Sequence, residues 1–138
     1  MNQKETFKIL MDNGISFAKE MLEKYGEFYP YGRSMNDNKD ISVINAYNGE
    51  EYPSGIELLK LLEADLTQKS TNENVIAIAT FTNVTMQGNN KESINAVQVG
   101  LEHKEGYSVN VYYPYVIEDQ KVIFDELNAV ERTPNIFS

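Results

Sequence analysis

The sequence predicts an α+β fold: helices packed on an antiparallel sheet. Three observations carry that expectation. Apolar residues recur at three- and four-residue steps over the first 25 positions and again after Pro53. From Val75 to Phe124 the pattern changes to short β-rich runs separated by Gly, Asn and Asp turn signals. Finally, 138 residues with 41% hydrophobic content are enough for one domain with its own core.

Composition narrows the function classes. There are no cysteines, which removes disulfides, thiol nucleophiles and thiolate zinc sites. The net charge of −9 is spread along the chain, −4 up to Lys69 and −5 from Ser70 onward. Such a chain repels a phosphate backbone, and it has no Lys/Arg run, so nucleic acid is not an expected partner. The charge serves solubility alone or fits a basic protein partner. No apolar segment is long enough to span a membrane, and residues 1–10 lack the core of a signal peptide. No membrane association is expected, and the cytoplasm is the expected location. Asn83-Val84-Thr85 is a formal glycosylation sequon inside an expected strand, and it is read as chance.

The elements follow in order. A helix is expected over Gln3 to Tyr25, with Phe7, Leu10, Met11, Gly14, Ile15, Ala18, Met21, Leu22 and Tyr25 on one stripe. Gly26 ends it, because glycine takes the left-handed conformation without steric cost. Glu27 to Gly32 is aromatic, and Pro30, lacking an N–H, starts a strand or runs along an edge. Arg33 to Tyr47 reads as a hairpin turning at Asn36 to Asp40. That Asn/Asp cluster lacks the glycine and distal glutamate of a calcium loop. A second helix follows Pro53, with Ser54 and Glu57 at capping-box spacing. Ile56, Leu58, Leu59, Leu61, Leu62 and Leu66 surround more than half of it, so it should be the more buried of the two.

Val75 to Val84 is apolar on both faces and should be covered on both. Met86 to Glu92 is a polar loop, Ser93 to His103 a strand, Lys104-Glu105-Gly106 a tight turn and Tyr107 to Ile117 another strand. Glu118-Asp119-Gln120 turns the chain into Lys121 to Phe124, and residues 127–138 read as an irregular tail of a single domain, 1–138. This is an αββαβββ order with about five strands, which matches the profilin-like or roadblock-like sandwich. In the roadblock arrangement the first strand and the last long strand are neighbours. Pro114 would then sit in a central strand, so it must lie beyond the paired part or the strand must be an edge.

Two groups of residues stand out as candidate sites. Phe28-Tyr29-Pro30-Tyr31 recurs as Tyr112-Tyr113-Pro114-Tyr115, holding six of the chain's nine tyrosines and six phenylalanines together. Phe28, Tyr29, Tyr31, Tyr112, Tyr113 and Tyr115 form either a packed cluster or a recognition surface, since exposed tyrosines offer large contact area at low entropic cost. The single histidine, His103, lies beside Glu102 and near Glu105 and Tyr107. A histidine with a carboxylate has the elements of a general base, and Glu102, His103 and Tyr107 are the candidate pocket. The sequence has no nucleophile-elbow serine, metal-ligand cluster or phosphate-binding glycine loop, so no catalytic residue, metal or cofactor is assigned. The acidic pairs Glu50-Glu51, Glu118-Asp119 and Asp125-Glu126 adjoin turn signals and read as solvated turns.

Two segments resemble a family of small, mostly uncharacterised bacterial proteins. One is Gly26 to Gly32, G-E-F-Y-P-Y-G, similar to the family's G-E-F-Y-P-F-G. The other is Asn95 to Tyr115, N-A-V-Q-V-G-L-E-H-K-E-G-Y-S-V-N-V-Y-Y-P-Y, similar to its L-E-H-R-x-G-Y-x-V-x-V-F-x-P-Y hairpin. The ending Asn135-Ile136-Phe137 fits as well. The resemblance brings no catalytic residues. Small acidic bacterial proteins of this kind include immunity proteins, which implies a non-enzymatic protein-binding module that neutralises a toxin. A small-molecule-binding domain and a dimerising structural subunit are the alternatives.

Overall fold

The computed structural model describes residues 2–45, 54–72, 74–88, 90–134 and 136–137. Along the chain run α1 (Gln3–Tyr25), β1 (Tyr31–Asn36), β2 (Ile41–Asn45), α2 (Gly55–Asn72), β3 (Val75–Gln87), β4 (Ser93–His103), β5 (Ser108–Glu118), β6 (Lys121–Phe124) and β7 (Asn128–Glu131). The α+β class and the antiparallel sheet are as expected. The strand count and order are not. Among the described residues, seven strands form one sheet in the order β2-β1-β3-β4-β5-β6, with β7 also paired to β5. The extra strand, β7, lies in the tail that reads as irregular.

The order departs from the roadblock expectation at one step. β3 pairs with β1, so β3 and β4 separate β1 from β5. β2 and β3 flank β1 and both run antiparallel to it. The chain therefore steps over β1 through α2 in a split β-α-β crossover.

Local chemistry sets the ends of the elements. The Asn2 side chain accepts from the Glu5 amide at 2.8 Å, and Gly26, at φ 74°, donates its N–H to Leu22 O. Ser54 Oγ accepts from the Glu57 amide at 3.4 Å, as its spacing predicts. In the first hairpin, Asn36 Oδ1 accepts from the Asn38 and Asp40 amides at 3.0 and 2.9 Å. Residues 46 and 47, the end of that expected hairpin, lie outside the described residues, as does the Glu50-Glu51 pair.

Side-chain alternation divides the molecule into two faces. Odd-numbered residues of β1, β3, β4 and β5 meet α1: Tyr31 and Met35, Ala77, Ala79 and Phe81, Val97, Val99 and Leu101, then Val109, Val111, Tyr113 and Tyr115. Phe7, Leu10, Ala18 and Leu22 of α1 complete this core, each large side chain contributing about 1.5–3 kcal/mol by burial. Gly14 lets the helix approach closely, since an added Cβ would overlap the Phe81 ring. Arg33 is also buried on this face. Its Nε donates to Asn13 Oδ1 and its Nη1 to Gly32 O, both at 2.9 Å, and it lies over the Tyr31 ring. Burial lowers the guanidinium from its ordinary value.

On the opposite face, Leu62 and Leu66 of α2 pack with Ile44, Val75, Ile78 and Ile136. The first half of β3, Val75 to Phe81, is thus covered on both sides, as its apolar residues on both faces predict. The expectation that α2 is the more buried helix is overturned. Leu58, Leu62 and Leu66 are buried, but Ile56 is 70% exposed and Leu61 43%. One i, i+4, i+8 stripe meets the sheet, and the other apolar residues lie around the helix from it.

Pro114 is resolved by bond alternation. His103 N donates to Tyr107 O at 2.8 Å, which makes the odd residues of β5 the ones bonded to β4. Pro114 therefore points its backbone at the other edge. There it falls between β7, whose pairing ends at Tyr112, and β6, whose pairing starts at Tyr115. Its carbonyl accepts from the Asp125 amide at 2.7 Å, and its missing N–H costs no ladder bond.

Candidate functional site

The two aromatic tetrapeptides do not meet. Phe28, Tyr31, Tyr113 and Tyr115 are buried in the α1 core, while Tyr29 is 48% exposed and Tyr112 half-buried on the other face. Tyr31 stacks on Phe81 with ring centroids 4.8 Å apart, meets Phe28 edge-on at 5.6 Å, and donates its hydroxyl to Gly14 O at 2.7 Å. Burial holds this phenol well above its ordinary range. Tyr113 packs edge-on to Phe124 at 5.6 Å, and Tyr115 donates to Asn83 Oδ1 at 2.8 Å. Burial raises both phenols. Four of the six rings are thus packing groups and are not available to a recognition surface.

The second candidate group is split by the pleat. Glu102 and His103 are consecutive in β4, so their side chains leave on opposite faces. His103 turns to α1, where Phe7 lies 6.4 Å from it and stacks on Tyr107 at 5.4 Å. Its Nδ1 accepts from the Glu105 amide at 3.1 Å inside the β4–β5 turn. Burial is the first cause that lowers the imidazole from its ordinary value. Glu102 never reaches it.

Glu102 belongs to a different constellation. It is 1% exposed. Its Oε2 lies 3.3 Å from Arg132 Nη2, and its Oε1 accepts from the Ile136 and Phe137 amides at 2.7 and 3.1 Å. Arg132 also reaches Asn110 Oδ1 at 3.3 Å. It crosses β4 at Gly100, where any Cβ would overlap its guanidinium. A polar hollow of about 140 Å³ adjoins the pair, bordered by Thr80, Thr82 and Gln98. The carboxylate thus anchors the chain after β7 to the sheet. Arg132 carries no sequence signal of this role; Gly100, an isolated glycine inside a strand, is the signal that a neighbour comes close.

Larger concavities open elsewhere among the described residues. One, of about 670 Å³, opens where the end of α1 and residues 27–30 face the start of α2. Tyr25, Tyr29 and Ile56, all exposed, line it. Another, of about 570 Å³, lies at the far end of the sheet on β5 and β6. There Val116 and Ile123 are direct cross-strand partners and are 53% and 49% exposed. Ile94 and Pro114 extend this apolar floor, and Asp125 and Glu126 border it. Leu127 and Val130 are exposed on the adjoining segment. The acidic turn residues Glu118 and Asp119 are exposed as well, with Lys121 directly opposite Glu118. The expected solvated turns at 118–119 and 125–126 thus flank an apolar hollow.

Among the described residues no group of three or more His, Asp or Glu side chains is placed to hold a metal ion, and no helix is long and apolar enough to cross a membrane. No family model, no curated protein and no solved structure matches the chain.

Proposed function

We propose that this protein is a non-catalytic binding module that engages a basic protein through the open end of its sheet, in the manner of an immunity protein neutralising a toxin. One observation carries the reading: the exposed apolar pair Val116–Ile123 and its 570 Å³ hollow are flanked by Glu118 and Asp119 of the β5–β6 turn and by Asp125 and Glu126. An apolar centre with a charged rim is the anatomy of a protein interface. The rim's acidic excess, four carboxylates against Lys121, speeds encounter with a cationic surface and selects against acidic ones. The net charge of −9 and the resemblance of the G-E-F-Y-P-Y-G and L-E-H-K-E-G-Y segments support the same reading.

The test is affinity capture at low ionic strength with the wild-type chain and an Asp125→Lys/Glu126→Lys variant, followed by identification of the retained protein. A basic protein should be held by the wild type, released as salt rises, and lost by the variant. Production of that protein alone should arrest growth, and co-production of this chain should relieve the arrest. Recovery of no basic protein, or equal recovery by both chains, would sink the proposal. If a partner is captured but is harmless to cells, the toxin part fails and the binding part stands.

A further inference from the structure

We infer that the cavity between the end of α1 and the start of α2 is a binding site for a small organic cation with an apolar body, of the substituted-ammonium class. It shares no lining residue with the hollow at the sheet end, so it stands apart from the protein-binding reading. Its volume of about 670 Å³ is that of a small-molecule site, which typically spans roughly 300–1,000 Å³.

The lining decides the ligand class. Tyr25, Phe28 and Tyr29 bring three aromatic rings to one cavity. Phe28 is held edge-on against Tyr31, whereas Tyr25 and Tyr29 are 67% and 48% exposed and free to meet a ligand. Aromatic faces carry negative charge density and attract a cation placed over them, most strongly one already stripped of water by its own alkyl groups. Glu27 is the only charged residue among the described lining residues, and it makes no ion pair with any described residue. No basic side chain lines the cavity among the described residues. An anion would be repelled by Glu27, and a neutral apolar ligand would strip water from that carboxylate without replacing it. A substituted ammonium covers the aliphatic wall of Met21, Ile56 and Leu59 with its alkyl groups while its charge answers both the rings and Glu27.

The experiment compares choline and benzyltrimethylammonium with 3,3-dimethyl-1-butanol, the uncharged isostere of choline, by amide chemical-shift titration of the full chain. The cations should bind saturably, with shifts concentrated at Tyr25 to Pro30 and at Ile56, and about tenfold more tightly than the neutral isostere. Tyr29→Ala should weaken cation binding about tenfold and Tyr29→Phe should preserve it. Glu27→Gln should weaken the cations and leave the alcohol unchanged. Both side chains are exposed, so the variants should melt with the wild type, and the melting curves check this. Equal affinity for cation and alcohol, shifts that map elsewhere, or no saturation at tens of millimolar would each overturn the inference. None of these results depends on whether a protein partner exists.

Discussion

Among the described residues, nineteen buried ones from α1, β1 and β3–β6, with the Phe28 segment, pack into one cluster on the α1 face of the sheet. On the other face the buried cluster has six described members, and one of these, Ile136, is delivered by the tail. The first face is sealed by apolar contact, and two of its polar members, Tyr31 and Arg33, bond to groups of α1 and β1 themselves. The second is closed partly by α2 and partly by a buried carboxylate gripping a guanidinium and two amides. Toward β5 and β6 it is left open. A sheet stabilised from one side can leave part of its other side for contact with something else. The features that suggest binding, the large concavities and their exposed apolar residues, accordingly lie outside the α1 core.

The comparison can be tested by mutation. The largest loss should come from the sealed face: Phe81→Ala removes the ring that stacks on Tyr31 and fills the space under Gly14, and should cost about 3–5 kcal/mol in urea unfolding. Gly14→Ala, which forces a methyl into that ring, should cost about 1–3 kcal/mol, so the smallest possible side chain is destabilising here.

Arg132→Ala should also cost about 1–3 kcal/mol, because the buried Glu102 carboxylate loses its charge-assisted contact with the guanidinium. A double cycle with Glu102→Gln should recover part of that loss. If Arg132→Ala behaves like a surface substitution, within about 0.5 kcal/mol of wild type, the polar anchor of the second face is not an anchor.

The smallest effects belong to the hairpins. Asp119 and Gln120 hold φ of 52° and 64°, a left-handed pair that suits glycine, so Gln120→Gly should raise the urea unfolding free energy slightly, by about 0.5 kcal/mol. His103 gives the pH dependence. Burial depresses its folded value below the ordinary 6.5, so the unfolded chain takes up the proton first as pH falls. The contribution is fully present above pH 6.5 and is lost as pH falls below it, where protonation of Nδ1 also breaks the bond from the Glu105 amide. His103→Gln should flatten the dependence of the urea midpoint between pH 7.5 and 5.5, while a parallel slope in wild type and variant would remove His103 from the account.

Much of the local structure was legible in the residues because it is short-range. The bounds of α1, the turn at Asn36 to Asp40, the double-sided burial of the first half of β3 and the placement of Pro30 just ahead of a strand each follow from periodicity, caps or a missing N–H. The misreadings share one cause. That Glu102 and His103 are adjacent in sequence says nothing of a shared pocket when the pleat sends them to opposite faces. That two tetrapeptides repeat says nothing of contact when β3 and β4 lie between them. The tail gave no strand signal because β7 buries no residue and is specified by its partner β5.

The acidic character, the lack of thiol chemistry, the two helices and the antiparallel class were determined by the sequence alone, since each depends on composition or on spacing within one segment. Which strands adjoin, which helix is the more buried, that Arg132 finds Glu102 across the sheet, and that Val116, Ile123, Tyr25 and Tyr29 are left facing outward were decided only in the tertiary structure. Those outcomes depend on pairing between segments tens of residues apart. A residue's neighbours across a sheet are set by the register of the whole strand, and no single stretch of sequence carries that information.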